Sequence, residues 1–342
     1  MNNNNPTIKI ELIIDDIFNN TNIKERDKLI VRKYHYLDGD TMKMRELGEE
    51  NGITKEAIRI ILERNKLKVE SGASKVAYIF DELAKEITKL APVRIGRLQE
   101  KLLERGYDIG NLCEKGIVES IAIFSRKHKN SVFVDCINGT SIICDSSKPE
   151  AAKEIEKIAR SESSRNGYAS TSTITVKASL VAGSIKSSAV VDVLSCLNEA
   201  TWISKRFVTF IDSRNRVISR IRKIASLKDT ASLKRTCDAI NQSISHRDKA
   251  FSKIDTSILT KLLLASAPDC IVDKGVINFI NVEKTQINDI EMEIHNLLLE
   301  HGALELVNIE SLVTQIHSKA SIYQSCSLSP LILKKAKLYS VV

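Results

Sequence analysis

One recurring pattern constrains this fold more than any other feature. From position 77 onward, three stretches with helical spacing of apolar residues are followed by two short β-prone runs, and this block returns every roughly 60–70 residues. In the first copy the helices are predicted over 77–90, 95–105 and 114–124, with a break at Ala91-Pro92. The β-prone runs 131–137 and 140–144 are joined by Asn138-Gly139. Asn-Gly between such runs favours a tight hairpin, because both central residues must take positive φ. The second copy opens at Pro149, a good first helical residue. Its helices are predicted to about 163 and over 173–180 and 187–197, with strands at 201–203 and 207–210. The third has helices over 214–225, 232–240 and 256–264 and a hairpin around Asp273-Lys274-Gly275. The fourth has helices over 285–300, 309–317 and 330–336 and closes on 337–342.

Composition narrows the class. The 342 residues are 43% hydrophobic and 27% charged, which excludes a largely disordered chain and a disulfide miniprotein. No uninterrupted apolar run reaches the length of a membrane-spanning helix. The start, Met1-Asn-Asn-Asn-Asn-Pro6, lacks a basic segment with an apolar core, so the expected location is the cytoplasm and no membrane partner is expected. Seven scattered cysteines without a C-x-x-C pair read as reduced, buried thiols. The six histidines are scattered, so neither a metal nor another cofactor is expected. No phosphate-binding glycine loop, nucleophile elbow or H-E-x-x-H appears, and the expectation is a protein that is not an enzyme.

Chemistry concentrates before the repeats. From Ile8 to Lys68 the spacing is helical throughout, and Glu70–Lys75 reads as a linker. Within this region, 44–62 reads Met-Arg-Glu-Leu-Gly-Glu-Glu-Asn-Gly-Ile-Thr-Lys-Glu-Ala-Ile-Arg-Ile-Ile-Leu, the pattern of a helix-turn-helix. Leu47 faces inward, Gly52 supplies the positive φ of the turn, and Ile53 plugs the angle between helices. Thr54 is a good N-cap. Ile58 and Ile61 or Leu62 bury one side of the second helix. Lys55, Glu56, Arg59 and Ile60 then face out near its N-terminus, where a recognition helix reaches base edges.

This segment, with Lys24–Tyr34 upstream, resembles region 4 of the sigma-70 family of bacterial RNA polymerase sigma factors. The resemblance covers about 22–68, roughly a fifth of the chain. In that family the second helix reads the −35 promoter element and the module also contacts the polymerase. The resemblance therefore implies double-stranded DNA and RNA polymerase as partners. It places Lys55, Glu56 and Arg59 at the DNA, within a set that also takes in Thr54, Arg64 and Lys66. Lys55 stands where the family usually has arginine, and loses bidentate guanine readout. Ile60 stands where glutamine is common. Nothing resembles the sigma region that melts the −10 element, so a complete sigma factor is not expected.

Charge adds a second candidate surface. The chain carries a net +8. Residues 201–250 hold twelve Lys or Arg against four Asp, an excess as large as that of the whole chain. Arg216, Arg220 and Lys223 recur at helical spacing and form a candidate phosphate-tracking face.

The expected fold is mainly α with small β-hairpins. Three helices plus a hairpin is the winged-helix plan, which predicts a flexible tail (1–7), a helix-turn-helix domain (8–69), a linker (70–75) and winged-helix-like units over 76–146, 147–212, 213–282 and 283–342. The expected function is sequence-specific DNA binding in a bacterial or phage-type regulator of transcription initiation. Two alternatives stay open. One is a protein-interaction scaffold using the same units, and the other is a divergent DNA-processing enzyme.

Overall fold

The computed structural model describes residues 7–38, 42–212, 214–313 and 317–342. Of the tail expected over 1–7, only Thr7 falls among them. The chain is mainly α with small sheets and divides into two compact units. Unit 1 takes residues up to 156 together with 175–198, and unit 2 takes 157–174 together with 199–342.

Unit 1 opens with strand β1 (Ile8–Lys9) and helices α1 (Ile10–Asn19), α2 (Glu25–Tyr34), α3 (Met44–Glu50) and α4 (Lys55–Gly72). Next come α5 (Ala77–Leu90), α6 (Ile95–Leu103), β2 (Tyr107–Asp108), α7 (Glu114–Phe124), β3 (Val132–Ile137) and β4 (Thr140–Asp145). β1 pairs in parallel with β2, and β3 pairs with β4 across the Asn138-Gly139 turn. Both turn residues have positive φ, as that dipeptide demands. The main core joins α1, α5, α6 and α7 through Ile14, Phe18, Phe80, Leu83, Leu98 and Ile121.

Helices α8 (Ala151–Asn166) and α9 (Thr171–Ala182) each contribute residues to both units, with β5 (Ala169–Ser170) between them. α10 (Ser187–Leu194) belongs to unit 1. No single described helix is long and apolar enough to cross a membrane. α9 and α10 reach that composition only as a pair, bent by 102°.

The rest of unit 2 contains β6 (Ala200–Ser204), β7 (Phe207–Phe210), α11 (Arg216–Ala225), β8 (Thr230–Ser232), α12 (Leu233–Ser245), α13 (Thr256–Ser266), β9 (Ile271–Asp273) and β10 (Val276–Asn278). It ends with α14 (Asp289–His301), β11 (Leu304–Glu305), α15 (Leu306–Leu312), α16 (Lys319–Leu328), β12 (Ile332–Lys335) and β13 (Leu338–Val341). Its core includes Ile218, Ile221, Ile240, Leu259, Leu262, Ile294 and Tyr339.

One order recurs three times: helix, strand, two helices, then two strands. In each case the first strand joins the edge of the closing hairpin, giving sheets β5-β7-β6, β8-β10-β9 and β11-β13-β12. In the copy starting at α5 a single bridge from Val93 to Ile143 takes the place of that first strand. These first strands are only two or three residues long, too short for a periodicity signal in the sequence.

Buried Asn215 locks the start of the α11 copy. Its Oδ1 accepts the Ile218 N–H at 3.1 Å and caps α11. Its Nδ2 donates to Gly167 O at 2.9 Å and to Phe210 O at 3.1 Å. One side chain thus satisfies a helix end, the Gly167 loop carbonyl and the last carbonyl of β7 away from water.

Four expectations are corrected. Glu70–Lys75 is not a linker, because α4 runs through Gly72 and a 3-10 turn covers Ala73–Lys75. Gly72 is helical, and a Cβ there would lie 2.6 Å from Thr21 Cγ2 and 3.3 Å from Ile17 O. This glycine serves close packing of α4 on α1 rather than chain flexibility. The helix expected over 330–336 is strand β12 and its turn, with Ile332 and Leu333 buried. The third helix of that copy is α16, upstream of Pro330. The helix expected over 309–317 ends at Leu312, and 314–316 lie outside the described residues. Five cysteines are buried, but Cys136 on β3 is exposed and Cys113 is half-buried at the start of α7.

Candidate nucleic-acid interface

α2, α3 and α4 enclose a small core of their own, built from Ile30, Leu47, Ile58 and Ile61, with Tyr34, Met44, Ile53 and Leu62 at its margin. The turn between α3 and α4 has a definite construction. Gly52 has φ +64°, and the Ile53 N–H returns to Gly48 O at 2.8 Å. Asn51 Nδ2 donates to Leu47 O at 2.9 Å. Thr54 Oγ1 accepts the Ala57 N–H at 3.2 Å and caps α4. Thr54 is thereby committed to the helix end. Gly48, which the sequence pattern left without a role, is the tightest point. A Cβ there would sit 2.6 Å from Ile53 O.

These contacts hold the first turns of α4 with Lys55, Glu56, Arg59 and Ile60 exposed. Between 55 and 66 the helix carries four cations against two carboxylates. Their engagements differ. Lys55 and Lys66 are exposed and have no hydrogen-bond or ion-pair partner among the described residues. Arg59 is clamped on both sides: Nε donates to Glu56 Oε1 at 2.9 Å and NH1 to Glu63 Oε1 at 2.6 Å. Hydrogen bonding to Glu56 raises the Arg59 pKa and lowers that of Glu56, so both stay ionised. Arg64 NH2 donates to buried Asp27 Oδ2 at 2.5 Å, tying α4 to α2. Arg64 is an internal anchor as much as a surface charge.

In unit 2 the helical spacing of Arg216, Arg220 and Lys223 does not produce one open face. Arg216 is exposed and donates to Asp248 Oδ2 at 2.8 Å. Arg220 is half-buried on Ser243. Lys223 turns to buried Glu291 on α14. The glutamate lies 68 residues away, beyond the reach of any periodicity argument. Cations missed by that argument stand at the hairpin ends: Lys205, Arg206, Lys274, Lys334, Lys335 and Lys337 are all exposed. For Lys205, Arg206 and Lys274 the signal was present, since each lies at or beside a turn joining two β-prone runs; Lys334, Lys335 and Lys337 were hidden in and beside the segment expected to be helical over 330–336.

Among the described residues no three His, Cys, Asp or Glu side chains group as a metal site would require. The chain matches no family model, no curated protein and no solved structure.

Proposed function

We propose that this chain is a sequence-specific, duplex-DNA-binding regulator of transcription initiation, neither a complete sigma factor nor an enzyme. The α3–turn–α4 pair is its reading head. The observation that carries this reading is the outward set Lys55, Glu56 and Arg59 on the first turns of α4, above the buried Ile30, Leu47, Ile58 and Ile61. With α4 in the major groove, Lys55 offers a point charge to a phosphate or a guanine edge. Glu56 can accept from a cytosine N4 amine. Arg59 reaches DNA by exchanging one of its two glutamates for a base edge or phosphate. RNA polymerase is the second partner that the resemblance to sigma-70 region 4 supplies, and the cytoplasm is the location proposed.

The recurring order of helix, strand, two helices and two strands supports winged-helix-like units in the remainder, over 76–146, 147–212, 213–282 and 283–342. A second reading, a protein-interaction scaffold, is favoured by Ile60 and Leu67. These residues are 50% and 74% exposed on the same helix.

The deciding experiment is binding of the full chain to random and promoter-derived duplexes across a salt series, beside Lys55→Ala/Arg59→Ala. The expected result is a steep salt slope for the parent, with affinity lowered about tenfold or more and a slope shallower by about two in the variant. Equal binding by both proteins would remove α4 from the DNA. Absence of duplex binding, with polymerase capture lost in Ile60→Ser/Leu67→Ser, would establish the scaffold instead.

A further inference from the structure

Unit 2 contains a small open cavity of about 240 Å3, lined by Arg216, Arg220, Ile244, Arg247 and Asp248. Its charges do not balance. Asp248 Oδ2 takes Arg216 NH1 at 2.8 Å and lies 3.3 Å from Arg165 Nε. Its Oδ1 accepts the Ala250 N–H at 3.0 Å. One carboxylate thus answers two guanidiniums and the backbone of its own loop.

Neither of the other two arginines forms an ion pair with a carboxylate among the described residues, although Glu291, which Lys223 engages, acts on Arg220 through space. Arg220 Nε donates to Ser243 Oγ at 2.9 Å and NH1 to Arg216 O at 3.2 Å, both neutral acceptors. Burial, then the charges of Arg216 and Arg247, push its pKa below the ordinary arginine value. Arg247 is exposed, and its guanidinium has no hydrogen-bond or ion-pair partner among the described residues. Lys223, the third member of the sequence-based stripe, is spent on Glu291 and stands outside the cavity.

Converging guanidiniums repel one another, and burial of one of them strengthens the repulsion. A polyvalent anion relieves it. Guanidinium forks match phosphate oxygens in two-point geometry, and a dianion answers an excess of several positive charges better than a carboxylate does. The volume suits a single phosphate group rather than a whole nucleotide.

We propose that this cavity binds a phosphate group through Arg216, Arg220 and Arg247, with Asp248 orienting Arg216 from its floor. The group belongs either to a free phosphorylated compound or to a nucleic-acid backbone. The chemistry comes from unit 2 alone and does not depend on what α4 does.

Thermal unfolding of the full chain, followed by fluorescence of Trp202 in unit 2, tests it with inorganic phosphate titrated against sodium chloride at equal ionic strength. The parent midpoint should rise with phosphate beyond the chloride control. Arg247→Ala, an exposed change whose circular dichroism should match the parent, should raise the half-saturating concentration at least about tenfold. Lys249→Ala removes a neighbouring exposed cation outside the cavity and should leave that concentration unchanged. Two results would overturn the proposal: phosphate doing no more than chloride, or Lys249→Ala weakening it as much as Arg247→Ala. Given phosphate binding, a duplex salt slope made shallower by Arg247→Ala identifies the backbone as the source. An unchanged slope identifies a free phosphorylated compound.

Discussion

Single buried side chains set limits on this molecule that its surface does not reveal. His295 on α14 is 4% exposed, and among the described residues neither ring nitrogen has a hydrogen-bond partner of good geometry, the Asn296 side chain opposing burial only as the smallest influence. Burial first, and the Lys228 charge second, hold its pKa below the ordinary value of 6.5. The unfolded chain therefore binds this proton at a higher pH than the folded one does. The neutral imidazole's contribution is complete above about pH 6.5 and is lost as pH falls from there toward the lowered folded pKa, by up to about 1.4 kcal/mol per pH unit. His295→Leu should flatten that part of the acid limb. Urea midpoints of both proteins at pH 7.5 and 5.5 measure the difference, and a parallel loss in parent and variant would show that the limb comes from other groups. His295 and His301 share α14, one buried and one exposed, as their six-residue spacing on a helix requires. No pattern in the chain could have shown that His295 would lack a partner, because that depends on what α14 packs against.

At the scale of elements, the α3–α4 turn offers the clearest contrast. Gly52 needs its positive φ but has open space around it, whereas Gly48 has helical backbone and no space. Gly52→Ala should cost about 1–2 kcal/mol through backbone strain alone. Gly48→Ala drives a methyl against Ile53 O and should cost at least as much, about 1–3 kcal/mol, while displacing the start of α4. Urea unfolding ranks the two, and under the DNA-binding reading duplex binding should suffer more in Gly48→Ala. A neutral Gly48→Ala would mean that the turn is looser than described. The Gly52 role was legible because glycine followed by a hydrophobic plug and a threonine cap is a local signal. Gly48 and Gly72 were not, because close approach of another segment leaves no mark on the neighbouring sequence. Hairpins with Asn-Gly or Lys-Gly at the turn were legible for the same local reason. The segment 330–336 misled because Leu, Lys and Ala favour helix, and only pairing of β12 with β13 selects the extended form. Of the candidate site, the outward set on α4 could be read from spacing. The glutamates clamping Arg59 were visible as neighbours but not as partners.

Across the whole molecule, the distribution of positive charge matters more than its sum. The excess in 201–250 suggested a basic helix, yet α11 spends much of it on Asp248, Glu291 and neutral acceptors. Exposed cations collect at the hairpin ends of unit 2. Under the DNA-binding reading, replacing Lys334, Lys335 and Lys337 together by alanine should make the duplex salt slope shallower by about one for each of these lysines that neutralises a phosphate. A slope identical to the parent's would place the duplex elsewhere. α4 also has a consequence for the mechanics of unit 1. It is one 18-residue rod, about 27 Å long, presenting Lys55 at its first turn and wedging Gly72 against α1 at its last. With no hinge between the two ends, the azimuth of the outward side chains is locked to the seating of Gly72. A single residue inserted midway along the exposed side would rotate one end against the other by about 100°. Evolution of the outward face of α4 is thus confined to exchanging side chains at fixed phase.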